Sequence, residues 1–101
     1  MIKDLWMYLQ SDKFYKDQTT LIICADHGRG EGSKWTSHGT SAPHSNETYL
    51  IVMGPDSKPL GEVKAAGQIY QDQFAQTIAN LLGFSFKPDH PVGNAIQTVL
   101  K

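Results

Sequence analysis

Thr19-Thr20-Leu21-Ile22-Ile23-Cys24-Ala25-Asp26-His27-Gly28 is the stretch that decides the fold. Its first seven residues are β-branched or apolar without alternation. That pattern fits a strand covered on both faces, as in a parallel sheet, rather than one with a wet face. Within it Cys24 reads as a small buried hydrophobe. Asp26-His27-Gly28 stops the run abruptly and puts two ligand-type side chains at the carboxyl end of the strand. Ligands of open α/β sheets gather at that end.

Outward from this strand the chain alternates between element types. Residues 26–47 are rich in Gly, Ser and Thr and show no period, and so long a connection in a small domain is usually functional. Thr48-Tyr49-Leu50-Ile51-Val52-Met53 then reads as a second buried strand, ended by the turn signal Gly54-Pro55-Asp56. Upstream, Ile2, Leu5, Trp6 and Leu9 fall at helical spacing, predicting a helix over 2–11, with Phe14 and Tyr15 tucked beneath it. Downstream come a polar loop over 56–66 and a short extended piece at Ile69-Tyr70. A helix over 72–82 follows, with Asp72 as N-cap, Gly83 just past its end and Phe74, Ile78, Leu81 and Leu82 on one face. A last short helix is expected over 94–100. The expected fold class is α/β: a partial, mostly parallel sheet with flanking helices. Two or three strands leave apolar sheet edges exposed, which invites pairing with another chain or a second copy.

The totals narrow the function classes. The chain has 101 residues, 40% apolar and 19% charged, with a net charge of −1. Its nine basic residues are scattered rather than striped, which argues against a nucleic-acid or lipid partner. No run approaches the roughly 18 apolar residues of a membrane span, and no signal-type segment opens the chain. The expectation is a soluble chain, with any signal peptide lying upstream of it. A single cysteine excludes an internal disulfide. Asn46-Glu47-Thr48 matches the glycosylation pattern, but matches to so short a pattern arise by chance.

An adjacent carboxylate and imidazole leaving a strand can meet at one divalent ion, with zinc at about 2.0–2.2 Å from each. Gly28 supplies the backbone freedom for the turn. Asp26 can equally close a turn without any metal. His38 lies eleven residues beyond His27 in the same loop, and three of the four histidines fall within 27–44. Such clustering favours a metal site. His44 is a further candidate, whereas His90, between Asp89 and Pro91, reads as a packed side chain. Gly28, Gly30 and Gly32 do not make a phosphate loop: Gly32-Ser33-Lys34 lacks the required ending, and a dinucleotide fingerprint would need glycine where Ser33 stands. Arg29 and Lys34 are open to either of two readings, solvated or in contact with an anionic substrate.

The run 19–30, ending Asp26-His27-Gly28-Arg29-Gly30, resembles the metal segment of the alkaline phosphatase superfamily. That group holds phosphatases, phosphodiesterases, cofactor-independent phosphoglycerate mutases and sulfatases. The order downstream is similar too: His38-Gly39, a strand into Gly54-Pro55-Asp56, Gln68-Ile69-Tyr70-Gln71-Asp72, and a segment from Thr77 to Leu81-Leu82-Gly83. The likeness covers about residues 1–97, as one C-terminal segment with its metal-ligand loop at about 26–46.

The resemblance implies two divalent ions, zinc by preference with manganese an alternative. Asp26 and His27 would hold the ion next to the nucleophile, and His38 would complete the other. In the family's chemistry such ions activate a Ser or Thr and clamp the attacking and leaving oxygens. The family's nucleophile and remaining ligands lie upstream of the Asp-His pair. Only 25 residues precede Asp26, and Thr19 and Thr20 lack the motif context. The expectation is therefore a segment that contributes ligands, contains no catalytic residue, and depends on a missing N-terminal part. A small phosphate or sulfate ester would be the substrate. A sulfatase-type segment, with calcium and Lys34, is the subordinate alternative. A non-catalytic self-associating α/β module with a vestigial site is the other.

Overall fold

The computed structural model describes residues 1–64 and 67–101. The part of the expected loop that falls on 65 and 66 lies outside the described residues. Among the described residues, two α-helices and one two-stranded sheet, with two 3-10 turns, make up the regular structure, in the order α1 (Ile2–Ser11), β1 (Leu21–Cys24), β2 (Leu50–Met53) and α2 (Phe74–Leu81). The content is mixed α/β. The chain divides into two compact units, residues 21–53 and residues 1–20 with 54–101.

In the first unit β1 and β2 pair antiparallel, with Leu21 opposite Met53 and Cys24 opposite Leu50. This corrects the expected parallel sheet. A parallel partner needs a crossover that carries the chain back to the strand's starting end, usually a helix. The connection here contains only a short 3-10 turn, Gly32–Lys34, and re-enters beside the end where β1 stops. An apolar run states that a strand is buried but not which way its neighbour runs. Coverage of the strands is incomplete as well. Their residues are half-buried, Ile51 is exposed, and so is Cys24, against its expected burial.

In the second unit α1 forms where the apolar spacing predicts it, yet it buries no residue. Ile2 and Leu5 on its apolar face remain 43% and 46% exposed, and Phe14 is 77% exposed rather than tucked away. The helix before Gly83 starts differently from expectation. Tyr70 is extended, Gln71–Gln73 make a 3-10 turn, and α2 proper begins at Phe74. The side-chain oxygen of Gln73 accepts the Tyr70 N–H at 2.8 Å. Asp72 does not cap the helix: its carboxylate takes the Gly93 N–H at 3.2 Å.

The C-terminal end of α2 is as expected. Phe84 N–H donates to Ala79 O and Gly83 N–H to Asn80 O, the paired bonds of a Schellman ending, with Gly83 at φ +74. No helix forms over 94–100. Ile96 N–H donates to the Thr77 hydroxyl at 2.9 Å, and Leu100 bridges Ser57 in extended pairing. The tail is drawn off helical geometry by partners elsewhere in its unit. The buried residue of α2 is Thr77, at 2% exposure, while Ile78 and Leu82 of the expected apolar face are 43% and 64% exposed.

Among the described residues the buried apolar side chains are Ala42, Ile96 and Leu100, and no large side chain is fully enclosed. Fully burying a large apolar side chain contributes roughly 1.5–3 kcal/mol. So little burial leaves much of that contribution unrealised. No helix among the described residues is long and apolar enough to cross a membrane.

Candidate functional site

The loop between the strands is closed at its base by the Thr48 hydroxyl, which donates to Ala25 O at 3.0 Å. From there the two limbs stay together. Gly28 N–H donates to Ser45 O at 2.8 Å and Gly30 N–H to Ser37 O at 2.9 Å. Close approach explains the glycines. A Cβ on Gly28 would strike the carbonyl oxygens of His44 and Glu47, and one on Gly30 would strike that of Lys34. Successive turns at Glu31–Lys34, Gly32–Trp35 and Lys34–Ser37 fold the outer limb, and Gly39–Ala42 and Ala42–Ser45 fold the return. Between the limbs lies a cavity of about 430 Å³ whose lining includes His27, Arg29, Trp35, Ser37, His38, His44 and Glu47.

Asp26 and His27 leave β1 side by side. One oxygen of Asp26 accepts the His27 backbone N–H at 3.0 Å, and the other lies 3.6 Å from His27 Nε2. His27 Nδ1 is 2.5 Å from Gly28 O. A carbonyl can only accept, so in the neutral ring Nδ1 carries the proton and Nε2 keeps its lone pair. Holding one ring nitrogen on a carbonyl while the other faces outward is the arrangement that orients histidine ligands. Two donors about 2.0–2.2 Å from one zinc stand about 3.3–3.6 Å apart at a tetrahedral angle, so the pair fits two corners of such a site.

His38 does join His27, but as a stacked ring, with centroids 4.0 Å apart and planes 12° apart. Lone pairs of nearly parallel rings lie in separate planes and do not converge. Among the described residues no group of three or more His, Cys, Asp or Glu side chains is placed to hold one metal ion. The chain's own donors therefore fit part of a coordination shell.

His44 is brought to the cavity with a different set of partners. Its Nδ1 is 2.7 Å from Glu47 and its Nε2 3.4 Å from Glu31, at a backbone φ of +61. The hydrogen bond that its Nδ1–H donates to Glu47, the negative charge of Glu47 and then that of Glu31 raise its pKa above the ordinary value. His90 belongs to the other unit, where it lines a shallow depression with Phe86 and Pro88.

Arg29 is neither buried nor free. Its Cζ lies 3.8 Å above the Trp35 ring and its Nε–H donates to Trp35 O at 2.9 Å. Among the described residues the Lys34 ammonium reaches Ser41 O, at 3.5 Å. Trp35, Glu31 and Glu47 are participants that sequence reasoning missed. Glu47 three residues after His44 carries a spacing signal. The Arg29–Trp35 contact carries none, because it arises from the turns between them.

No family model, no curated protein and no solved structure matches the chain.

Proposed function

We propose that the chain is the C-terminal segment of a metal-dependent phosphoester hydrolase of the phosphatase or phosphodiesterase type, related to the alkaline phosphatase superfamily. The observation that carries this reading is the Asp26–His27 pair. Two donor atoms lie 3.6 Å apart at the carboxyl end of a strand, with the histidine's other nitrogen already committed to a carbonyl. Asp26 and His27 would hold one divalent ion, zinc by preference, and His38 would serve a second through a separate lone pair. Such ions, when bound, polarise the phosphoryl group and lower the pKa of a bound hydroxyl or water.

The residues of the chain have narrower tasks. Asp26 supplies negative charge, Gly28 O holds the His27 ring, and the paired loop limbs wall the cavity. The nucleophile and the remaining ligands belong to an N-terminal part of the catalytic domain, so these residues alone are not expected to turn over substrate. The small apolar core supports the same view, since Ile2, Leu5, Phe84 and Leu82 are exposed large apolar side chains.

The test is zinc titration of the chain by calorimetry, beside a variant carrying Asp26→Ala and His27→Ala. Binding to the chain that disappears in the variant is expected. Equal binding by both proteins would remove the pair from any metal site and sink the reading.

That same exposed apolar surface favours one other reading, a non-catalytic module that associates with its own copies. Size-exclusion chromatography separates the two. Concentration-dependent association that persists in chelator, from a chain that takes up no zinc, belongs to the second.

A further inference from the structure

We propose that the loop cavity binds a tetrahedral oxyanion, the phosphate or sulfate group of a small ester, on the guanidinium fork of Arg29. The inference rests on the hydrolase reading only in calling that oxyanion part of an ester. The binding site itself rests on the surroundings of Arg29.

Three of those surroundings point to an anion. First, the guanidinium is held at two points. Its Cζ lies over the Trp35 ring at 3.8 Å, and its Nε–H donates to Trp35 O at 2.9 Å. An exposed arginine ordinarily gives up rotamer entropy when it is pinned by a ligand, and a fork already held in place gives up less. Second, the two terminal nitrogens have no hydrogen-bond acceptor among the described residues, and no carboxylate pairs with Arg29 there. What remains is a planar pair of parallel N–H donors, the geometry that takes two oxygens of a phosphate or sulfate at once. Third, Thr36 and Ser37 line the same cavity, and their hydroxyls make no hydrogen bond among the described residues. They are short donors of the kind that complete an oxyanion's shell.

One group opposes an anion, the carboxylate of Glu47 in the same lining. It is engaged by His44 at 2.7 Å. The same imidazole also lies 3.4 Å from Glu31, so His44 serves two carboxylates, and Arg29 is the cation of the lining that no carboxylate pairs among the described residues. The volume of about 430 Å³ accommodates a phosphate or sulfate group together with part of its ester.

The experiment is NMR of the ¹⁵N-labelled chain in chelator, titrated with inorganic phosphate at ionic strength held constant with sodium chloride, with inorganic sulfate in a parallel arm. Saturable shifts are expected at the Arg29 side-chain Nε–Hε, the Trp35 indole N–H, and the Thr36 and Ser37 amides. Arg29→Gln should weaken binding roughly tenfold, as expected for loss of a charge-assisted bidentate contact. Arg29→Lys should keep the charge but not the fork and weaken it nearly as much. Trp35→Leu should weaken it less, because the charge stays while its support is lost. Unchanged far-UV circular dichroism checks that each variant is folded.

The tighter of the two anions identifies the ester class. Shifts that never saturate and spread over surface lysines would overturn the proposal, as would an Arg29→Gln variant that binds like the parent. The Asp26→Ala, His27→Ala variant separates this inference from the hydrolase reading. If zinc binding depends on that pair while phosphate and sulfate fail to bind the parent, only the anion site falls. If zinc binding ignores the pair while Arg29 still binds the oxyanion, only the hydrolase reading falls.

Discussion

Replacing Gly28 with alanine should unfasten the loop that makes the cavity, and the cost follows from its contacts. The added Cβ would sit closer than 3.0 Å, an approach real Cβ atoms do not make, to the carbonyl oxygens of both His44 and Glu47. These are backbone atoms and cannot rotate aside, so residues 44–47 must move off. The Gly28 N–H bond to Ser45 O, at 2.8 Å, lies in the path of that movement. Losing one such bond costs about 0.5–1.5 kcal/mol, and overpacking about 1–3 kcal/mol more. Alanine offsets about 0.4–1 kcal/mol of this by restricting the unfolded chain. The net expectation is a loss of about 0.5–4 kcal/mol, centred on about 2, a large share of a small domain's stability.

Urea unfolding followed by circular dichroism and tryptophan fluorescence measures it. Gly39→Ala is the control, since a Cβ there meets nothing within 4 Å in the same loop. That variant should be neutral or slightly more stable. A Gly28→Ala change within about 0.5 kcal/mol of the parent would refute the argument, because effects that small are ordinary for surface positions. Equal losses for both variants would refute it too.

Thr77→Val removes a hydroxyl, at 2% residue exposure, that donates to Gln73 O and accepts the Ile96 N–H, leaving that amide without an acceptor. A loss of about 1–3 kcal/mol in thermal or urea unfolding is expected, with most of it recovered by Thr77→Ser. His44 should titrate above its ordinary value of 6.5, and Glu47→Gln should bring it back towards that value in an NMR pH titration. With the folded pKa raised, the stabilisation from this pair is fully present below about 6.5 and is lost as pH rises through the folded pKa. A His44 titration that ignores Glu47→Gln would contradict the assignment.

How much of this was legible in the sequence depends on whether the signal is local. The helix over 2–11 and the strands over 21–24 and 50–53 rest on runs of neighbouring residues and form there. The ending at Gly83 is equally local, because one residue at positive φ suffices. Asp72 shows the limit. Its preference for a helix start is real, but the Gly93 amide, twenty-one residues away, claims the carboxylate, and Gln73 serves the Tyr70 amide instead. The helix expected over 94–100 gave way for a similar reason, with Ile96 bound to Thr77 and Leu100 to Ser57.

At the candidate site, the adjacency of Asp26 and His27 was already present in the chain, since neighbours leaving a strand cannot lie far apart. The sequence by itself thus determined which segments become helix or strand, and that a carboxylate and an imidazole stand together at a strand's end. Only the tertiary structure decided that β2 returns antiparallel, that His38 stacks on His27, that His44 sits between two carboxylates, and that Arg29 lies on Trp35. Each of these depends on how the turns across residues 28–47 bring distant positions together. Hydrophobic periodicity records burial and hydrogen-bonding residues record capacity, but neither records which partner the folded loop will supply.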